Sequence, residues 1–416
     1  MSLIDQDLAL NGGPKVREKP WPGWPMHDER EAKAVQAVLE SHTWGTRGPK
    51  VQELEAKFSA FHDAEFGVAV TSGTTALEVT FRACGIGAGD EVILPPYTFI
   101  ATASSIVAVN AIPVFADIDP DTYCLDPAAA EAAITPQTKA IAAVHMGGCP
   151  AEMGRLRDLA RKHGLRLIED AAQAHGAAWD GTRIGALGDA GAFSFQNSKN
   201  MSAGEGGMVL TNDREVYERA WSYHHCGRVP DGAWYDHRIL GSNLRMTEWQ
   251  AAILLVQLER VEEHMAIREE NAAHLNERLA REVDGLVGTA ESHGTTRNAY
   301  HLWMGKYDAG AFGGVSRDKF LSAMAAEGIP IGRGYNPLYR EGAFRDAWDA
   351  SHCPWACRLY QGSVDYARVS CPACEHVCDV GGVWIYQSAL LGPREDMDDI
   401  VAAALKVREH AEQLRD

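Results

Sequence analysis

From Glu65 to Leu210 the chain alternates short apolar runs with stretches whose apolar positions recur at helical spacing. The runs Phe66–Thr71, Glu91–Leu94, Ile112–Ala116, Ala140–Val144 and Leu165–Ile168 predict strands. Between them, Thr75–Cys84, Phe99–Val109 and Ala151–His163 predict helices. Strands that are apolar almost throughout, alternating with helices, predict a mostly parallel sheet covered on both faces. Two more strands, Ala190–Phe195 and Gly207–Thr211, bracket a loop of small and polar residues. Beyond Asn243 the pattern changes. Met246–Val283 reads as one long helix, with Ile253, Leu254, Leu258, Val261, Met265 and Ile267 apolar and charges such as Glu259, Arg260 and Glu262 on the other face. From about Gly285 a smaller α+β unit follows, with a strand near His301–Lys306 and a helix near Arg317–Glu327. The expected fold is α/β. A large domain spans residues 1–250, and 251–416 hold a domain-linking helix and a small C-terminal domain.

Composition narrows the function. The chain has 416 residues, enough for two such units. With 39 basic and 57 acidic residues its net charge is −18, which argues against nucleic acid as a main partner. No apolar stretch reaches the ~18–20 residues of a membrane span. Met1–Arg17 is polar and mixed in charge, without a secretory core, so a cytoplasmic location is expected. Nine cysteines, an odd number, read as free thiols in a reducing compartment. Cys353, Cys357, Cys371, Cys374 and Cys378, with His352 and His376 close by, raise a metal site as one reading. The other is a short helix, because Cys374 and Cys378 are one turn apart and Pro372 suits a first turn. The helix is preferred, since the upstream pair is poorly spaced for zinc.

Ligands of open parallel sheets gather at the carboxyl ends of the strands, and four polar features fall there. Thr71-Ser-Gly-Thr-Thr-Ala-Leu77 is a strand-to-helix turn whose backbone N–H groups, at Gly73 and Thr74, suit an anion. Asp170 closes the strand Leu165–Ile168, with Gln173 and His175 just after it; a buried carboxylate there needs a cation, or else caps the next helix. Lys199 follows the strand that ends Phe193-Ser-Phe195 and precedes a glycine-rich stretch; in a closed cleft its amine becomes nucleophilic, whereas most lysines are solvated. Tyr97, after Pro95-Pro96, offers a ring for stacking or simply for the core. Phosphate cradle, carboxylate, lysine and ring together match pyridoxal 5′-phosphate.

The stretches Ser72-Gly-Thr-Thr-Ala-Leu77, Gly89-Asp-Glu-Val-Ile93, Glu169-Asp-Ala-Ala-Gln173, Ser194-Phe-Gln-Asn-Ser-Lys199, Gly204-Glu-Gly-Gly207 and Gly241-Ser-Asn-Leu-Arg-Met246 occur in one order. From Asn11-Gly-Gly-Pro14 to the C-terminal helix, the chain resembles the DegT/DnrJ/EryC1/StrS family of pyridoxal-phosphate aminotransferases. The Ser-Phe-Gln-x-x-Lys wording is nearest the inosose aminotransferases and resembles 3-amino-5-hydroxybenzoate synthases. The resemblance implies fold type I and a homodimer with active sites at the subunit interface. It implies Lys199 as the internal-aldimine lysine, Asp170 at the pyridine nitrogen, Gln173 near the ring hydroxyl and Tyr97 stacked on the ring. Gly73, Thr74 and Ser194 would hold the phosphate, with Asn243 reaching across from the other subunit. The implied reaction moves an amino group from L-glutamine or L-glutamate to a keto-cyclitol or keto-sugar. Dehydratase relatives carry histidine at the lysine position, so Lys199 favours transamination. A synthase that also eliminates water, a nucleotide-keto-sugar aminotransferase and an idle regulatory homologue are the alternatives. Arg47, Arg228, Arg333, Tyr223, His224 and His225 are open candidates for the acceptor, or for surface and interface packing.

Overall fold

The computed structural model describes residues 6–46, 48–346 and 352–414. Each strand expected in the first half forms: β1 (Phe66–Val70), β2 (Glu91–Leu94), β3 (Ile112–Phe115), β4 (Thr138–Val144), β5 (Arg166–Asp170), β6 (Ala190–Ser194) and β7 (Gly207–Thr211). They make one sheet in the order β1-β7-β6-β5-β4-β2-β3. β2 to β6 are parallel neighbours, while β7 runs antiparallel to both β1 and β6. All residues of β2, β6 and β7 are buried, as apolar strands covered on two faces must be. Covering helices include Gly73–Ala83, Ala101–Ala108 and Met153–His163.

The second sheet joins β8 (Leu286–Gly288), β9 (Leu302–Tyr307), β10 (Ile331–Gly332) and β11 (Gly382–Tyr386), in the order β8-β9-β11-β10. The long helix spans Glu248–Glu282 and serves two cores. Ala251, Leu254, Val261 and Met265 pack in the first, Ala272, Leu275 and Leu279 in the second. The handover thus lies between Met265 and Ala272, deeper in the helix than the expected division at 250/251.

Two segments cross that division. Residues 338–378, expected within the C-terminal unit, send Leu338, Tyr339, Phe344, Tyr366 and Cys374 into the first core. The N-terminal segment, expected with the large domain, packs with the C-terminal unit instead: Leu8 joins the second core. Glu327 accepts hydrogen bonds from the backbone N–H groups of Ala9 (2.8 Å) and Val16 (3.1 Å), and its carboxylate meets the buried ammonium of Lys406 at 3.0 Å. Removing one partner of such a pair strands the other charge, so Glu327→Ala is expected to cost about 3–5 kcal/mol. Urea unfolding would read this; a midpoint like that of the unaltered protein would show that the contact is not stabilising.

The cysteine cluster folds as the short helix Pro372–His376 and the turn after it, with the sulfurs of Cys374 and Cys378 3.7 Å apart. All nine cysteines are free, and among the described residues no group of three or more His, Cys, Asp or Glu side chains is placed to hold a metal. No helix among those residues is long and apolar enough to cross a membrane.

Candidate active site

Strand register brings the four sequence features to one edge. Val70 and Ser194 both pair with Gly207, while Val144 pairs with Asp170 and Asp170 with Ala192. The carboxyl ends of β1, β4, β5 and β6 therefore stand side by side, together with the start of the reversed strand β7. A cavity of about 470 Å³ opens over them.

Gly73 and Thr74 line it from the first turn of the Gly73–Ala83 helix. Ser72 caps that helix: its Oγ accepts the N–H of Thr75 (3.2 Å), and Thr75 Oγ1 accepts the N–H of Ser72 (2.9 Å). The amides of Gly73 and Thr74 have no partner within the helix, because a first turn has none to give. A Cβ at Gly73 would lie 2.5 Å from the Cβ of Ser194, so only glycine lets the turn approach that hydroxyl.

Asp170 is the last residue of β5 and is buried. Its Oδ2 accepts the hydroxyl of Thr102 at 2.6 Å and its Oδ1 the N–H of Ala172 at 3.2 Å. Among the described residues none forms a salt bridge with it, although the Lys199 ammonium acts on it at longer range. Gln173 accepts the Gly147 N–H through Oε1 (2.8 Å) and donates to the hydroxyl of Tyr335 (3.3 Å).

Lys199 sits on the 195–206 loop and lines the same cavity. Its Nζ makes no hydrogen bond to the described residues. Burial pulls its pKa down from 10.5 to about 8, partly opposed by the charge of Asp170, which favours the ammonium. That places an amine which can shed its proton close to neutral pH opposite an ionic partner, the combination a carbonyl-capturing lysine needs.

Tyr97 departs from expectation. It is 1% exposed and absent from the cavity wall, packed edge-on against Tyr123 and Tyr335. Its hydroxyl lies 1.9 Å from where a Cβ on Gly334 would stand, so its space is taken by a distant loop. Phe99, two residues on, lines the cavity and is 55% exposed. Ser194 lines the cavity as expected, whereas Asn243 is exposed, paired with His225 in an isolated bridge and off this chain's own cavity wall.

Of the acceptor candidates, Arg47 lies outside the described residues. Arg228 stacks 4.1 Å over the ring of Trp234, and His225 meets Arg228 and Arg245, while Arg82 covers the ring of Tyr223. His224 bonds the carbonyl of Trp221, and Arg333 is exposed. None of these lines the cavity. Thr102, His301, Tyr335, Trp384 and Tyr386 do, and sequence reasoning missed them. Thr102 had a signal, as a hydroxyl in the first turn of a mainly apolar helix; Thr98, in the bend before it, meets that hydroxyl at 3.0 Å. The aromatic trio comes from irregular or C-terminal segments with no distinguishing local pattern.

Comparison with known proteins agrees with this geometry. The DegT/DnrJ/EryC1/StrS aminotransferase family matches residues 25–378. The L-glutamine:2-deoxy-scyllo-inosose aminotransferase of Streptoalloteichus tenebrarius is 41% identical over 425 residues, spanning 98% of this chain and 99% of its own. Its counterpart of the same name from Micromonospora echinospora is 39% identical over 427 residues, again 98% and 99%. The crystal structure of 3-amino-5-hydroxybenzoic acid synthase matches with a TM-score of 0.83 at 35% identity, over 95% of this chain and 100% of that one.

Proposed function

The chain belongs to the DegT/DnrJ/EryC1/StrS aminotransferase family, and from that membership we propose that it uses pyridoxal 5′-phosphate to move an amino group from L-glutamine to a keto-cyclitol. It is an aminotransferase. The observation that carries the cofactor reading is the convergence of Lys199 and Asp170, an amine poised near neutrality and a buried carboxylate without a salt bridge among the described residues, beside an anion cradle that a single Cβ would block.

The residues present fit the group. Gly73, Thr74 and Ser194 would hold its phosphate, Phe99 would pack on its ring, and Gln173 would meet the ring hydroxyl. When bound, pyridoxal phosphate supplies an electron sink for a carbon that loses a proton. Asp170 would keep a proton on the ring nitrogen, because opposite charge favours the cationic form. Thr102 and the Ala172 amide fix that carboxylate in place. Lys199 would take the proton from the donor's Cα as general base and give it back as general acid, both at Nζ.

Gly73→Ala tests the cradle. It is expected to weaken capture of pyridoxal phosphate by apoprotein about tenfold or more, since the added methyl must push Ser194 aside. Fluorescence titration would read it, and an unchanged affinity would move the phosphate elsewhere.

For the acceptor, the named relatives support a cyclitol, and so does the cavity wall: Phe99, Tyr335, Trp384 and Tyr386 with Gln196 and Ser198, and no arginine among the described residues. Aromatic faces and neutral polar groups suit a hydroxylated ring better than a diphosphate. A substrate panel decides between them. Purified enzyme with glutamine should aminate 2-deoxy-scyllo-inosose and leave nucleotide-linked keto-sugars unchanged; the opposite preference, or release of an aromatic product from aminodehydroshikimate, overturns the reading. Exposed Tyr235 and Leu240, 84% and 97% accessible, support a second copy of the chain covering the 226–245 segment as a homodimer. Asn243 would then serve the other subunit's phosphate.

A further inference from the structure

His301 enters the cavity from the C-terminal unit, immediately before β9, and is buried. Its ring is held by Asn200, the residue after Lys199. Asn200 donates from Nδ2 to the carbonyl of Ala299 at 2.7 Å, which turns its Oδ1 toward His301 Nδ1 at 3.0 Å. An amide oxygen only accepts, so Nδ1 carries the ring proton and Nε2 presents a bare lone pair. The backbone fixes the rest of the residue, since Gln387 N–H donates to the His301 carbonyl at 3.1 Å.

Nε2 makes no hydrogen bond to the described residues, and neither does Nζ of Lys199, although both side chains line one cavity. Three neighbours on that wall are engaged elsewhere: Asp170 holds Thr102 and Ala172, Gln173 holds Gly147 and Tyr335, and Ser194 accepts from the Gln196 amide. A strong donor and a strong acceptor are thus left facing the same space. We propose that His301 Nε2 is the hydrogen-bond acceptor that holds the amine of Lys199 whenever that amine is not covalently engaged, which makes His301 a positioning residue for the proton transfers of Lys199.

Burial holds the imidazole well below its ordinary pKa of 6.5, reinforced by Lys199, His175 and Arg268, the ionisable groups around it. A neutral ring is the form that can accept. Since Asn200 directly follows Lys199, one short segment supplies the amine and orients its acceptor, even though the acceptor belongs to the second sheet.

The inference rests on Lys199 being the reacting amine, and the test separates the two. Trace acetylation of apoprotein with acetic anhydride across pH, read by mass spectrometry at Lys199, measures protonation of that amine without cofactor. In His301→Phe the midpoint should fall by about one pH unit, because the ammonium loses an acceptor. In holoenzyme kcat should fall at least about tenfold with KM for glutamine little changed. His301→Gln, which offers an amide oxygen, should recover part of both. Asn200→Asp keeps the ring proton on Nδ1 but adds charge that raises the imidazole pKa, so the acid limb of kcat should move to higher pH. This last result also stands if His301→Phe fails to fold. An unmoved Lys199 midpoint in His301→Phe, or an acid limb unshifted in Asn200→Asp, overturns the positioning role. A Lys199 that captures no pyridoxal phosphate in the unaltered protein overturns the proposed function, and this inference with it.

Discussion

Lys199→Ala is expected to lower turnover by about four orders of magnitude or more. In the proposed reaction two tasks fall to this one amine, covalent capture of the cofactor's aldehyde and movement of the proton, and no other lysine among the described residues lines the cavity. Borohydride should fix a pyridoxyl group to Lys199 in the unaltered holoprotein and leave none on the chain in the variant, which peptide mapping would read. Stability should not suffer, because the side chain removed is one whose charge burial disfavours. pH provides a second reading. Burial lowers the Lys199 pKa to about 8, so the free-base fraction, and with it the rate of cofactor capture by apoprotein, should climb as pH rises through that value and then level off. Activity within tenfold of the unaltered protein would remove Lys199 from the reaction.

Asp170→Asn should reduce kcat by about a thousandfold, because a neutral amide cannot hold the ring nitrogen in its protonated form. The same change has an opposite effect on Lys199. Asp170 favours the ammonium, so its loss should drop the lysine pKa further below about 8. The amine of Asp170→Asn apoprotein should therefore label faster at neutral pH even as turnover collapses. Slower labelling would mean that the carboxylate does not act on the amine, and unchanged kcat that it does not act on the ring.

Much of this was legible in the sequence, for a physical reason. β1 to β7 are short apolar runs bounded by turns, and β2, β6 and β7 are buried along their whole length, so composition marks them as strands of a covered sheet. Asp170, Ser194 and Lys199 lie at or just beyond strand ends, where a polar residue interrupting an apolar run is conspicuous. For the aromatic ring the local signal is weak, because Pro95 and Pro96 end the alternation after β2. Past them nothing local says whether residue 97 or residue 99 faces inward, and the loop at Gly334 decides it. Within residues 338–378 the short helix at Pro372 was legible, but the packing of the segment on the first core was not. Its anchors are long-range, such as the Tyr366 hydroxyl on the Pro113 carbonyl at 2.9 Å and the Cys374 amide on Asp117 at 3.0 Å. The attachment of the N-terminal segment through Glu327 and Lys406 leaves no periodic trace either. Asn200 and His301 carry no signal of their own in the sequence, since they stand 101 residues apart and meet only in the fold.

The reversed direction of β7 has a mechanical corollary. Because Ser194 and Gly207 pair across adjacent antiparallel strands, the segment from 195 to 206 departs from and returns to a single point of the sheet. It is a davit with both feet bolted to one deck plate. Its span owes nothing to the crossover helices, and the group hung from it is delivered to the same berth however the surrounding hull is rebuilt. Lengthening the arm by even one residue would swing the load off station while every strand kept its partner.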